Sequence, residues 1–205
     1  MMAKGPSAGE PRGAGGFHFR QAGPSRGEDQ HARVQISLED AYRGASRTLE
    51  LRAPSGARNL RVAIPRGVTE GQRIRLAGQG TSGMQGGPAG DLFMEVVFEP
   101  HPLFEADGRN ILLTLPVTPW EAALGETVQV PTLGGAVDLK IPAGSQSGRR
   151  LRLKGRGLPG SPAGDQIVTL RIDTPPADTA AARDLYEEMR NKMPFNPRRD
   201  MGVER

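Results

Sequence analysis

The chain has 205 residues, of which 36% are hydrophobic, 4% are aromatic and none is cysteine, and its formal net charge is +4. Without cysteine it has no disulfide and no thiolate metal site, and no apolar run approaches the roughly 20 residues that a transmembrane helix needs. We therefore expect a soluble intracellular protein with small aliphatic cores. The mild positive charge is typical of a solvated surface and is only weak evidence for an anionic partner.

Taken in chain order, residues 1–31 are rich in Gly and Pro and predict a flexible linker. From Val34 onward, hydrophobic residues alternate over short stretches, a pattern that predicts β-strands. The segments 37–42 and 118–123 each begin with an N-cap residue and end before a glycine, which predicts two single-turn helices. Gly and Pro interrupt the strands so often that the pattern favours β-sandwiches.

The middle of the chain is a duplication. The segment IPRGVTEGQRIRLAGQG at 64–80 returns 77 positions later, at 141–157, as IPAGSQSGRRLRLKGRG. The tetrapeptide at 88–91 returns at 162–165 with an offset of only 74, so the loop before it is three residues shorter in the second copy. A unit of this length, present twice, favours tandem domains over a solenoid. We predict two small β-sandwich domains, at 32–105 and 106–176.

The last segment, 177–205, predicts a helix and a tail. Asp178 or Thr179 caps a helix that runs to about Lys192. Its apolar residues form one stripe: Ala182, Leu185, Tyr186, Met189 and Met193. A single helix of this length is marginal alone, so the stripe packs either on its own domain or on the same helix of a second chain.

Motifs for chemistry are absent. GxGxxG occurs at Gly78, Gly80 and Gly83, and again at Gly155, Gly157 and Gly160. Each copy continues into a loop and then a strand, whereas a dinucleotide site requires a helix at that point. The three histidines form no cluster with ligand spacing, and no nucleophile motif is present. We expect no catalytic residue, no metal and no cofactor, and hence not an enzyme.

Two sets of residues carry alternative interpretations. The basic run Arg149, Arg150, Arg152, Lys154 and Arg156 is either the solvated face of a strand or a stripe that contacts phosphates. Val34, Leu49, Leu51 and Met94 are either core residues, which composition favours, or the lining of a groove. Such a groove lies beside an open strand edge, where an extended peptide adds as a further strand.

A family resemblance bears on this choice. VQISLEDAYRGASRTLEL, both glycine-containing repeats, and the stretch from GPAGDLFMEVVFEPHPLF to VPTLGG resemble the C-terminal substrate-binding region of DnaJ-type co-chaperones over residues 32–175. The ending FNPRRDMG resembles the bacterial curved-DNA-binding (CbpA-like) subgroup of J-proteins, which also lacks the cysteine-rich zinc module.

The resemblance implies two β-sandwiches in series, a C-terminal dimerisation helix and a homodimer that binds unfolded polypeptide. It places the client groove on the first sandwich, at Val34, Leu49, Leu51 and Met94, with Ala32 and Ile36 nearby. Met and aliphatic side chains suit this role because they adapt to many partners. For these positions the resemblance reverses the preference for core.

This chain also departs from the family. The only His-Pro pair, His101-Pro102, is followed by Leu103, so the His-Pro-Asp triplet of a J-domain is absent. The chain is therefore either a fragment or a natural truncation, and in both cases we expect it not to stimulate the ATPase of a DnaK-type chaperone by itself.

The sequence thus predicts a bacterial cytoplasmic module that captures unfolded polypeptide without ATP and presents it to a DnaK-type chaperone. The alternative is an architectural DNA-binding protein that associates with the nucleoid. Its candidate contacts are the basic run at 149–156 and the linker arginines Arg12, Arg20, Arg26 and Arg33.

Overall fold

A computed structural model describes residues 23–53 and 56–202. The first repeat contains β1 (Gln30–Ile36), α1 (Leu38–Arg43), β2 (Ala45–Ala53), β3 (Gly56–Ile64), β4 (Arg73–Leu76) and β5 (Leu92–Phe98). The second contains β6 (Phe104–Asp107), β7 (Asn110–Val117), α2 (Pro119–Leu124), β8 (Glu126–Val130), β9 (Val137–Ile141), β10 (Arg150–Leu153) and β11 (Gln166–Ile172). Helix α3 (Ala180–Lys192) and a 3₁₀ turn (Arg199–Met201) follow.

The two repeats share one plan. In each, a larger sheet is accompanied by a two-stranded hairpin: the sheet β1-β5-β4 with the hairpin β2-β3, and the sheet β10-β11-β7-β6 with the hairpin β8-β9. In the second repeat, β7 pairs in parallel with the last strand, β11, while β10 and β6 add antiparallel. The predicted mainly β fold with a C-terminal helix is confirmed.

The single-turn helices occupy equivalent positions, 81 residues apart. Ser37 Oγ accepts a hydrogen bond from the Asp40 backbone N–H at 3.2 Å, and Thr118 forms a full capping box with Glu121. Both helices end at a glycine with positive φ, 79° at Gly44 and 81° at Gly125, where a residue with a side chain would be strained. Both predicted helices are therefore present.

Contacts between Cα atoms divide the described residues into two compact units. The smaller comprises the described residues up to Ala32 together with Arg75–Met94, and the larger comprises those of Arg33–Ile74 and Glu95–Arg205. Strands β1, β4 and β5 continue along the chain from one unit into the other. The predicted domain boundaries at 105/106 and 176/177 follow the repeat instead, and remain predictions.

Alternation along the strands places aliphatic side chains in the interior of the larger unit. Ile36, Val62 and Val96 of the first repeat, and Ile111 and Ile141 of the second, are completely buried. None of the helices in the described part of the chain is long and apolar enough to cross a membrane.

In the smaller unit, a buried carboxylate holds the turn that follows β4. The Asp91 side chain is 7% exposed, accepts a hydrogen bond from the Gly78 backbone N–H at 2.8 Å, and pairs with Arg75 at 2.6 Å and Arg26 at 3.0 Å. The Gly78 N–H, and then the two guanidinium groups, lower the pKa of Asp91. Its charged form is therefore favoured in the folded state.

The second repeat has a weaker version of this site. Asp165 accepts from the Gly155 N–H at 2.7 Å, and its side chain is 23% exposed. In the part of the chain that the structure describes, its single guanidinium partner within 4 Å is Arg152, at 3.5 Å. The two sites therefore form a matched pair that differs in burial and in the number of cations.

We predict that Asp91→Asn lowers the midpoint of thermal unfolding at pH 7 by more than Asp165→Asn does, because it removes two ion pairs from a buried site. Since folding lowers the pKa of Asp91, its contribution is complete above the unfolded pKa of about 3.9 and is lost as the pH falls through the folded pKa. Melting curves at pH 7 and pH 3 check this. A difference between wild type and Asp91→Asn that persists unchanged at pH 3 would contradict it.

Candidate functional site

The predicted groove residues differ in accessibility. Val34, Ile36 and Met94 are buried, with 3%, 0% and 1% of their surface exposed. Ala32, in the smaller unit, and Leu49, in the larger, are half-buried. Leu51 follows on the same strand as Leu49 and is paired with Arg58 across the hairpin. In this conformation, therefore, Ala32 and Leu49 offer apolar surface to a partner, whereas Val34, Ile36 and Met94 belong to the core.

The backbone edges of the first repeat are open. Strand β1 is an end strand of its sheet, and β2 has a hydrogen-bonding neighbour on one side only, the side of β3. Both statements hold for the described residues, in which no further strand pairs with either edge. An open edge presents unpaired N–H and C=O groups that accept another extended chain.

The second repeat closes the edge that corresponds to β1, whereas among the described residues β8, the counterpart of β2, has one neighbour only. Strand β6 pairs with β7, for example through Glu105 opposite Leu112. Farther along β7, beyond the end of β6, lies Pro116, which has no N–H to offer. The position equivalent to Pro116 in β1, 81 residues earlier, is Gln35. Sequence reasoning missed this contrast, although a proline inside an alternating strand pattern is a recognisable sign of a protected edge.

The basic run lies on an open edge of the second repeat. Strand β10 is the end strand of its sheet, Arg150 and Arg152 are exposed, and the alternating Leu151 and Leu153 are half-buried. Arg149, Lys154 and Arg156 beside the strand are exposed as well. Among the described residues, an acidic side chain lies within 4 Å only of Arg152, at 3.5 Å from Asp165. The run therefore presents almost uncompensated positive charge.

The linker arginines are placed differently. Arg26 pairs with Asp29 at 2.9 Å and with Asp91 at 3.0 Å, so two carboxylates compensate its charge. Arg33 is 78% exposed, with Glu95 at 3.8 Å. Arg12 and Arg20 lie outside the described residues. Of the two linker arginines that the structure describes, Arg33 is therefore the one whose charge is accessible to an anionic partner.

Helix α3 exposes most of its apolar stripe. Thr179 caps it by accepting from the Ala182 N–H at 3.1 Å, and Tyr186 Oη donates to the Pro175 carbonyl at 2.6 Å. No residue of the helix is buried, and Leu185, Met189 and Met193 are 66%, 47% and 61% exposed. The predicted packing on the helix's own domain is therefore partial, through Ala182 and Tyr186, which are half-buried.

A cavity of about 650 Å³ lies between α3 and the start of α2. Its lining is mostly apolar and comprises, among others, Pro119, Trp120, Ile172, Ala182, Leu185 and Met189. Trp120, the only tryptophan of the chain, is 55% exposed there. Sequence reasoning used Trp120 only as part of a helical turn, because a pattern within one element does not show what packs beside it.

No group of three or more metal-ligating side chains occurs in the residues that the structure describes. The glycines of both GxGxxG matches lead into turns and not into helices: Gly78 and Gly155 have φ values of 68° and 69°, and each is followed by a loop that reaches β5 or β11.

Comparison with known proteins agrees with this architecture. Residues 30–175 match the family described as DnaJ C terminal domain. The chain is 51% identical over 192 residues to a "Curved DNA-binding protein" of Coxiella burnetii (strain Dugway 5J108-111), covering 89% of this chain and 61% of that protein. A protein of the same name from Pseudomonas putida (strain KT2440) is 40% identical over 204 residues, covering 94% of this chain and 64% of that protein.

A third relative of that name, from Escherichia fergusonii, is 42% identical over 202 residues, covering 91% of this chain and 66% of that protein. This chain thus spans about 61% of the length of the first of these relatives. The predicted resemblance to co-chaperones is confirmed, and the family is not one of enzymes. The chain belongs to the DnaJ C-terminal domain family.

Proposed function

We propose that this chain binds unfolded polypeptide without ATP, as an extended strand added to an open strand edge of its first repeat. The observation that carries the proposal is the contrast between β1 and its counterpart β7: β1 is an end strand of its sheet, whereas β7 is covered by β6 and contains Pro116. Within the described residues, the edge of β2 is open as well, as is that of its counterpart β8. Membership of a family of DnaJ-type co-chaperones supports the same conclusion.

Main-chain pairing suits clients of many sequences, because every residue except proline carries the same N–H and C=O groups. Apolar side chains of the client then require apolar surface beside the edge. Leu49 is half-buried on β2 and supplies it, and Leu51 follows two residues later on that strand. In the whole protein we propose that the captured client is presented to a DnaK-type chaperone.

We further propose that two chains associate through α3 and the surface around Trp120. Four apolar side chains in this region expose between 47% and 66% of their surface: Trp120, Leu185, Met189 and Met193. Three of them line the cavity beside α3, and Met193 continues the apolar stripe at the end of that helix. A contiguous exposed apolar surface of this kind is typical of an interaction site, because apolar surface in contact with water is unfavourable. Two client sites on one dimer raise the apparent affinity for a long client without any additional interaction at either site.

A second candidate function is DNA binding, favoured by the exposed cations of β10. Alternate residues on one face of a strand are about 6.6 Å apart. Arg150 and Arg152 of β10, with Lys154 just beyond its end, therefore present separate charges that can each meet a phosphate. The relatives named "Curved DNA-binding protein" give independent support.

The client site is tested by suppression of aggregation of a denatured model protein. Leu49→Asp together with Leu51→Asp replaces two apolar side chains by charges and should raise the concentration needed for half-maximal protection at least about tenfold, since burying one Leu contributes about 1.5–3 kcal/mol. Val128→Asp in the second hairpin, a half-buried position on β8, is the matched control. Equal protection by wild type and the double variant, with both folded, would refute the β2 site.

The dimer is tested by sedimentation or light scattering of the intact chain. Deleting residues 178–205 should halve the solution mass, and Leu185→Asp with Met189→Asp should do the same at low micromolar concentration. Glu187→Ala, on the exposed polar face of α3, should leave the mass unchanged. A monomeric wild-type chain at the highest concentrations measured would remove the proposal.

DNA binding is tested by gel-shift titration at several salt concentrations. Replacing Arg150, Arg152 and Lys154 by Gln should weaken binding and reduce the slope of log K against log salt by about 0.9 for each phosphate that is no longer neutralised. The control replaces Arg183, Arg190 and Lys192 of α3 by Gln, which removes the same charge elsewhere. Equal weakening in both variants would indicate a net-charge effect and not a site on β10, and no shift at low salt would exclude DNA.

A further inference from the structure

The segment Ser25–Asp29, which the sequence assigns to a flexible linker, lies against the loop 78–91 of the smaller unit. Ser25 and Met84 exchange two backbone hydrogen bonds, at 3.2 and 3.0 Å. The Gly27 N–H donates to the Pro88 carbonyl at 2.9 Å. The end of the linker is thus hydrogen-bonded to the folded chain before β1 begins at Gln30.

Two further contacts hold this segment. Thr81 Oγ1 accepts from the Glu28 N–H at 2.6 Å, and the Thr81 N–H donates to the Glu28 carbonyl at 3.0 Å. The guanidinium of Arg26 bridges the carboxylates of Asp29 and the buried Asp91. Backbone and side-chain contacts therefore alternate along the segment.

Glycine is required at the contact because the two backbones approach too closely for a side chain. A Cβ on Gly87 would lie 2.0 Å from the Ser25 carbonyl oxygen, and one on Gly27 would lie 1.9 Å from that of Thr81. On Gly90 it would lie 2.1 Å from the Glu28 carbonyl oxygen. None of these three glycines has a positive φ, so close approach and not backbone conformation explains them.

The equivalent loop of the second repeat contacts a different segment. There Gly157 and Gly164, the counterparts of Gly80 and Gly90, approach Arg109 in the turn between β6 and β7, and the Leu158 N–H donates to the Arg109 carbonyl at 2.8 Å. The loop of the first repeat is longer by three residues, which fall between Gly80 and Pro88 and so in the stretch that contains Met84 and Gly87. The added length supplies the contacts to Ser25.

We propose that the loop 78–91 is an intramolecular clasp for the chain's own segment Ser25–Asp29. The clasp fixes the point at which the chain before Ser25 meets the smaller unit. Its opening would free five residues and lengthen the tether by up to about 17 Å. Because tether length sets the effective concentration of whatever the upstream segment carries, the clasp controls the reach of that segment. This inference is independent of client, dimer and DNA binding.

Amide hydrogen exchange of the intact chain, followed by NMR, tests the clasp. In wild type, the amides of Ser25, Gly27, Thr81 and Met84 should exchange at least tenfold more slowly than in an unfolded chain. Gly87→Ala should abolish the protection of Ser25 and Met84 while Ile111 and Leu170, in the larger unit, stay protected. Gly23→Ala is the control, because a Cβ on Gly23 meets nothing within 4 Å.

Thr81→Val provides a second variant should Gly87→Ala unfold the smaller unit. It removes the acceptor for the Glu28 N–H and should raise exchange at Glu28 at least tenfold.

Since the chain has no cysteine, spin labels at Gly23→Cys and Ala77→Cys can be attached specifically, and they measure the distance across the clasp. We expect a narrow distance distribution in the otherwise wild-type chain and a broad one in the Gly87→Ala background. Unprotected wild-type amides, or a broad wild-type distribution, would overturn the proposal.

Discussion

The structure depends on the parallel pairing of β7 with β11 in the second repeat. In the first repeat, the equivalent strands β1 and β5 are also neighbours. Parallel neighbours cannot be joined by a tight turn, so the chain between them must form a long crossover. The short helix, the hairpin and the next sheet strand are all placed within that crossover. Bringing residues so far apart in sequence together costs conformational entropy. The capped helical turns that end at Gly44 and Gly125 have a defined backbone geometry, and this limits the number of conformations of each crossover.

With β1 paired to β5 and β7 paired to β11, the other edges of β1 and β7 are where the two repeats differ. In the second repeat β6 and Pro116 make the edge unattractive to another chain, whereas in the first the edge stays open. An open edge is an aggregation hazard that proteins usually cover. Its retention on one copy of a duplicated scaffold, together with a half-buried Leu49, is the physical basis for assigning client binding to that copy.

Charge is divided between the repeats in a complementary way. In the first, the Arg26 and Arg75 guanidinium groups are used to hold the buried Asp91, so they contribute to the fold. In the second, the cations of β10 are exposed, and within the described ranges 23–53 and 56–202 their single acidic neighbour is Asp165. The same type of residue therefore stabilises a turn in one copy and forms a charged surface in the other. The loop 78–91 follows the same division, because its stretch between Gly80 and Pro88, three residues longer than in the second repeat, contains Met84 and Gly87, which contact Ser25.

The amino-acid sequence by itself determined the duplication, the mainly β class, the two capped helical turns and the apolar stripe of α3, because each rests on spacing within one element or on a repeated segment. The family followed from the same motifs. Only the tertiary structure decided that Val34, Ile36 and Met94 are buried, that the charge of Arg26 is compensated, and that the segment 25–29 is hydrogen-bonded to the loop 78–91. Alternation shows that two faces of a strand differ, but not which neighbour covers each face. Ion pairs and backbone contacts between residues more than 50 positions apart, such as Arg26 with Asp91, depend on loop paths that no local pattern encodes.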